Sequence, residues 1–158
     1  MRGGMRPATR VFRWREIARI TLNQFAGDLD SILTKPYSEA KKALKQFPNI
    51  GDPGAEKILM LCGISFGLPL ESNGLRVLGR LGWGRVQKSY GATYRSVQDA
   101  LQPELPNDME SLKEAHLLLR THGKTLCKDH APLCHQCPVS AECPFAHSTA
   151  AAFLRSTD

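Results

Sequence analysis

The stretch Cys127-Lys128-Asp129-His130-Ala131-Pro132-Leu133-Cys134-His135-Gln136-Cys137-Pro138-Val139-Ser140-Ala141-Glu142-Cys143 decides how this chain is read. It sets four cysteines at the spacing C-x6-C-x2-C-x5-C. Four thiolates in one short loop can wrap a single metal centre, and thiolate is a soft donor that selects zinc or iron–sulfur over hard cations. Disulfides are the competing reading. They fit poorly, because the chain carries no visible secretion signal and thiols stay reduced inside cells. Zinc sites usually come as two C-x2-C knuckles with a longer spacer between them. Only Cys134 and Cys137 have that spacing. The longer gaps suit a 4Fe–4S cubane better, with zinc as the alternative.

Outward from the loop, the bulk properties set the frame. The chain has 158 residues, enough for one domain or two small lobes. Its formal net charge of +6 points to a polyanionic partner, because lysine and arginine gain from displacing phosphate counterions. No apolar run approaches the roughly 18 residues of a membrane helix. The basic N-terminus lacks the apolar core of a signal peptide. The expectation is an intracellular protein, cytoplasmic or nucleoid, with no membrane partner. The fifth cysteine, Cys62, sits in an apolar run and reads as a buried core residue.

Periodicity along the chain predicts helices and no strand. Residues 1–10 read as a disordered basic start. Val11 to Ala26 carries Ile17, Ile20, Leu22 and Phe25 on an apolar face, and Gly27 can end the helix in the left-handed conformation. A linker follows to Pro36. Ser38 is the expected N-cap of a helix reaching about Phe47, with Ala40, Ala43 and Leu44 inward and Lys41, Lys42 and Lys45 outward. Then comes Phe47-Pro48-Asn49-Ile50-Gly51-Asp52-Pro53-Gly54, a tight turn between two helices. Asn49 and Gly51 tolerate positive φ, and Asp52 can cap the second helix, with Pro53 in its first turn. Ile50 can point into the hairpin core. Such a turn offers backbone amides to a phosphate without reading sequence; a plain helix–helix connection is the competing reading. The second hairpin helix is expected from Gly54 to Cys62. Leu70-Glu71-Ser72-Asn73-Gly74 then leads into a helix with Leu75, Val77, Leu78 and Leu81 inward and Arg76 and Arg80 on another face. A helix from Ser89 to Leu101 follows. The last long helix begins at Asp108, carries Leu112, Ala115, Leu118 and Leu119, and runs to His122-Gly123. The domain reading is a helical lobe over 11–106 with the hairpin at about 38–62, a last helix with the cysteine loop over 107–145, and a loosely held tail over 146–158.

Three features in fixed order carry a family resemblance: the Pro-x-Ile-Gly hairpin at 48–51, the acidic segment Leu70-Glu71-Ser72-Asn73-Gly74-Leu75-Arg76-Val77-Leu78, and the four-cysteine loop. Together they resemble the endonuclease III family of base-excision DNA glycosylases, over roughly Arg10 to Cys143. The resemblance implies an all-α helix-hairpin-helix glycosylase fold of two lobes with duplex DNA between them. It implies a 4Fe–4S cluster on Cys127, Cys134, Cys137 and Cys143. It places a DNA phosphate at the amides around Asn49, Ile50 and Gly51, and basic contacts at Lys124 and Lys128, with His130 and His135 beside them. Enzymes of this kind flip the damaged base out of the stack before cutting its glycosidic bond.

This sequence departs from the family pattern at three places. Family members that are also lyases carry a lysine where Pro53 stands. Proline has no amine and forms no Schiff base. Lys57, one helical turn later on the same face, is the candidate amine, with a solvated helix lysine as the competing reading. The family's catalytic aspartate aligns with Glu71, one methylene longer. A carboxylate there would stabilise an oxocarbenium-like sugar or activate a nucleophile, while the competing reading is a helix N-terminal glutamate facing the dipole. The segment around Glu71 resembles that of the adenine-mismatch glycosylases, which also lack the lysine, and this points to a monofunctional glycosylase. Lastly, the N-terminal lobe reads as partial: the family has further helices before Val11, and a protein partner is one expected source of the missing wall. The alternative function is a non-catalytic iron–sulfur helix-hairpin-helix protein that grips DNA.

Overall fold

The computed structural model describes residues 7–64 and 67–148, and among these the chain is all-helical with no strand. Among the described residues seven α-helices run in order: α1 Pro7–Phe25, α2 Asp30–Leu33, α3 Tyr37–Leu44, α4 Asp52–Leu61, α5 Ser72–Arg80, α6 Tyr90–Leu101 and α7 Met109–Thr125. Short 3-10 turns occupy Gln102–Glu104, Cys134–Gln136 and Pro144–His147. The chain divides into two compact units, Met1–Ser65 and Phe66–Asp158. That division puts α5, α6, α7 and the cysteine loop in one unit, whereas the sequence reading draws a boundary at 106/107.

In the first unit, Ile20, Ile32, Ala40, Ala43, Leu44, Phe47, Ala55 and Leu59 form one buried cluster. Phe25 stacks on Phe47 with ring centroids 5.8 Å apart. Helix α1 begins at Pro7, so residues 7–10 are helical rather than a disordered start; proline suits a first turn, where its missing N–H costs nothing. The remaining start, 1–6, lies outside the described residues. Ala26 and Gly27 both take positive φ, 52° and 85°, and end α1 as expected of the glycine. Leu22, expected on the apolar face, is exposed. The linker contains the single turn α2, which buries Ile32. Ser38 is not a cap: α3 starts at Tyr37 behind Pro36, which fixes the entry and leaves Ser38 inside the first turn. Cys62 is exposed rather than buried, because α4 ends at Leu61 and Gly63 turns the chain at φ 80°.

In the second unit, α5 presents Leu75, Val77 and Leu78 to the core, while α6 contributes Tyr94, Val97 and Leu101 and α7 contributes Leu112. Three helices start on side-chain caps. Glu71 caps α5, Ser89 caps α6 and Asp108 caps α7, each satisfying amides that lack an intrahelical acceptor. Helix α7 does not stop at His122-Gly123. It continues to Thr125, and Gly123 is buried inside it. Leu118 is exposed, and the buried position of that stretch is His116. Residues 146 and 147, expected in the loose tail, complete a 3-10 turn over Pro144–His147, in which Phe145 packs beneath the Arg80 guanidinium, 4.1 Å from ring centroid to Cζ. The rest of the tail, from 149 onward, lies outside the described residues.

Gly123 explains how closely α5 and α7 approach. A Cβ there would sit 2.7 Å from Asn73 Cβ and 2.8 Å from Asn73 O. Gly123→Ala should therefore lower the urea midpoint by an amount equivalent to about 1–3 kcal/mol, the usual cost of overpacking. Gly91→Ala, at an exposed position where the nearest atom is the mobile end of Arg95 at 3.6 Å, should leave the midpoint unchanged or raised.

Candidate functional site

The hairpin turn sits between α3 and α4. Asn49 takes φ 68°, so it supplies the left-handed residue, while Gly51 is extended at φ −93° and ψ −172°. Gly51, not Asp52, is the N-cap of α4. Glycine has no side chain to cap the first amides of the helix, so these remain available to an outside acceptor. Ile50 packs against the core cluster as expected, and its Cγ2 lies 3.6 Å from where a Gly54 Cβ would stand. Asn49 and Gly51 are exposed and Lys57 is half-buried on α4.

Asp52 is freed from capping by its own position as first helical residue. Its carboxylate instead takes the Lys45 ammonium, at 2.9 and 3.0 Å. Lys41 reaches Asp52 at 3.2 Å and also pairs with Glu56. Burial works against the Lys41 ammonium, yet Glu56 and Asp52 together hold its pKa above the ordinary lysine value. Two lysines of the expected outward face thus tie α3 to α4, and Lys42 alone of the three has no acidic partner among the described ion pairs.

Glu71 lies at the N-terminus of α5 with ψ 172°. Its Oε1 accepts from the Asn73 and Gly74 amides at 3.0 and 3.1 Å, and its Oε2 accepts from Asn73 Nδ2 at 2.8 Å. The carboxylate is half-buried. It therefore faces the positive end of the helix dipole and is held by three donors. Asn73 is itself oriented: its Oδ1 accepts from Arg76 Nη2 at 2.9 Å. Burial and the neighbouring Glu71 carboxylate push the Tyr90 phenol above its usual pKa.

The same helix carries the cysteine loop. Arg76 donates from Nε to Cys127 O at 2.9 Å and from Nη2 to Gly123 O at 2.8 Å. Arg80 donates to Lys128 O at 2.6 Å, to Asp129 O at 3.1 Å and to Cys127 Sγ at 3.4 Å. A planar guanidinium suits such a fork of carbonyls. The sequence showed the two arginines one turn apart but not that their partners lie about fifty residues on. Their spacing beside an apolar run was the available signal.

Cys127, Cys134, Cys137 and Cys143 all line one cavity, with Val77, Leu81, Leu126 and Phe145 supplying an apolar wall. Cys143 is buried and the other three are partly so. His122 Nε2 lies 3.5 Å from Cys137 Sγ, and burial lowers the pKa of that imidazole. Among the described residues, no three His, Cys, Asp or Glu side chains converge on a single-ion site. Four thiol donors around one apolar-walled cavity suit a polynuclear sulfur-ligated group in donor chemistry. Lys124, Lys128, His130 and His135 are exposed on and beside this loop.

No family model matches the sequence. Curated relatives do. "DNA glycosylase/AP lyase ROS1" of Arabidopsis thaliana is 30% identical over 139 residues, which are 80% of this chain and 10% of that protein. Endonuclease III of Sulfolobus acidocaldarius is 27% identical over 119 residues, 75% of this chain and 50% of that one. Endonuclease III of Thermotoga maritima is 25% identical over 130 residues, 82% of this chain and 54% of that one. The chain spans a tenth of the plant relative and about half of the two shorter ones.

The Asp52 pairing has a pH signature. The Lys45 hydrogen bond, against a smaller opposing effect of burial and with help from Lys41, holds the Asp52 carboxyl below its usual pKa. A depressed folded-state pKa stabilises above the unfolded value of about 4, and that contribution is lost as pH falls through the lower folded value. Urea midpoints measured from pH 6 down to pH 2 should fall less steeply for Asp52→Asn than for the unaltered protein. The difference should be small and shrink in high salt, since the pair is largely exposed.

Proposed function

We propose that the chain, similar to ROS1 and to endonuclease III, is a glycosylase of that type and removes a damaged or mismatched base from duplex DNA. The observation that carries this reading is the double duty of α5. One helix holds the Glu71 carboxylate at its N-terminus and anchors the four-cysteine loop through Arg76 and Arg80.

In this reading the target nucleotide is turned out of the duplex, because its glycosidic bond is out of reach inside the stack. As the bond to the base breaks, positive charge develops on the sugar, and Glu71 is the anion that faces it. The three donors from Asn73 and Gly74 fix the carboxylate before reaction, so little reorganisation is needed as charge develops. Water completes the hydrolysis. Pro53 offers no amine, so strand cleavage through a Schiff base falls to Lys57 or does not occur. The Asn49–Gly51 turn and the first amides of α4 hold a DNA phosphate. Exposed Lys124 and Lys128 hold another part of the backbone.

The four cysteines would hold a 4Fe–4S cluster, with zinc the alternative, because only Cys134 and Cys137 have the C-x2-C spacing of a zinc knuckle. When bound, the cluster supplies metal–thiolate cross-links that close an otherwise irregular loop. The residues around it do the rest. Arg80 donates to Cys127 Sγ, and Phe145 lines the cavity beneath the Arg80 guanidinium.

A second reading, non-catalytic DNA binding, is favoured by one feature: both oxygens of Glu71 are already engaged as a helix cap.

The deciding experiment uses duplexes carrying oxidised pyrimidines, uracil or thymine opposite guanine, adenine opposite oxidised guanine, or an abasic site. Products are resolved with and without hot alkali. Breaks only after alkali, abolished in Glu71→Gln with DNA affinity retained, are expected for a monofunctional glycosylase. Breaks without alkali, lost in Lys57→Ala, would identify a lyase. Binding without any breaks would establish the second reading. In the same binding assay, Lys124→Ala and Lys128→Ala should each reduce the slope of log affinity against log salt by about 1.

A further inference from the structure

The segment leading into Glu71 belongs to no helix, yet its carbonyls are taken one after another by side chains. Leu68 O accepts from Gln98 Nε2 at 2.6 Å, Pro69 O from His116 Nδ1 at 2.8 Å and Leu70 O from Tyr90 Oη at 3.3 Å. Gln98 and Tyr90 come from α6 and take the carbonyls at 68 and 70. His116 comes from α7 and takes the one between. Successive carbonyls are thus taken alternately by two flanking helices. A carbonyl cannot donate, so His116 Nδ1 carries the hydrogen. The side chains of Leu68 and Leu70 are buried at 4% and 1% exposure, and His116 at 5%.

We propose that Gln98, His116 and Tyr90 form a strap of positioning residues that sets where the Glu71 carboxylate stands. This rests on the reading of Glu71 given above. From the downstream side the carboxylate is fixed by the Asn73 and Gly74 amides. From the upstream side, no backbone hydrogen bond among the described residues links 68–70 to Glu71. The strap supplies that second hold, one peptide unit away. With both holds in place, the Glu71 side chain has a fixed origin as well as a fixed tip. Satisfying buried carbonyls is a sufficient reason for each bond taken alone. Three in succession, ending at the residue before the carboxylate and drawn from two helices, define a position rather than merely satisfy acceptors. A displacement of about 1 Å in a reacting group costs on the order of 100-fold in rate, so the strap is felt at the chemical step.

The test compares His116→Leu and Gln98→Met, which keep bulk and lose the donor, with His116→Asn, whose amide can replace Nδ1–H. Unfolding curves first establish the temperature at which each variant is folded. Two quantities are then measured on the full chain. One is amide hydrogen exchange at Asn73 and Gly74 in the free protein. The other is single-turnover base release, alongside DNA affinity, on whichever duplex the unaltered protein cleaves. The expected result is exchange at both amides faster by about tenfold or more, as a loosened cap opens locally. Base release should fall by roughly 100-fold, with affinity within about threefold, and His116→Asn should restore both. A purely structural strap would lower the unfolding midpoint yet leave exchange at Asn73 and Gly74 and the single-turnover rate unchanged in the folded protein, and that outcome overturns the proposal. If His116→Leu does not fold, Gln98→Met and Tyr90→Phe decide by the same criteria. If the unaltered protein releases no base, the glycosylase reading fails by itself. The exchange data then judge the strap alone: faster exchange upholds it and unchanged exchange overturns it.

Discussion

The cysteine loop has almost no regular structure of its own, and what gives it a place is two guanidinium groups. Arg76 and Arg80 stand one turn apart on α5 and donate to the carbonyls of Gly123, Cys127, Lys128 and Asp129. Each of those carbonyls lies at or beyond the end of α7, where helix geometry leaves acceptors without partners. Two cations thus finish one helix and start one loop. Arginine suits each place better than lysine, because one planar guanidinium aims donors on separate nitrogens at two carbonyls in fixed directions. The fork holds Cys127, the first thiol of the loop, by both its carbonyl and its sulfur.

Much of this was legible in the chain. The all-helical fold and the similarity to endonuclease III were both expected from the sequence. Helix starts with a short polar residue ahead of a periodic run, Ser89 and Asp108, came out at the expected residues. Starts governed by backbone stiffness did not. Pro36 and Gly51 displaced Ser38 and Asp52 from the caps that propensity assigns them. The core faces were legible where leucine spacing is regular; on α7 Leu112 is buried as expected but Leu118 is not. There a run of three leucines, 117 to 119, cannot all point inward, and His116 takes the buried place because Pro69 O offers it a partner. Nothing in a single sequence announces an acceptor 47 residues away.

The basic character also reads differently in three dimensions. Charge counting treats Lys41, Lys42 and Lys45 as one surface. The structure spends two of them on Asp52 and Glu56, inside the first unit. Arg76 and Arg80 are likewise committed to internal carbonyls. What remains for an outside polyanion is a smaller set, with Lys124 and Lys128 exposed beside the loop. Each lysine–carboxylate pair cancels one charge of either sign, so the net charge of +6 is unchanged and is carried by cations outside these pairs.

The exposure of Cys62 has a practical corollary. The chain holds five cysteines, four of which line the loop cavity, and the fifth stands at the surface after α4. Alkylation by a maleimide dye then becomes a stoichiometric counter. A molecule whose loop thiols are engaged by metal presents one fast-reacting sulfur, and a molecule with an empty loop presents up to five. The same surface thiol is the point through which two copies would become oxidatively cross-linked on storage in air.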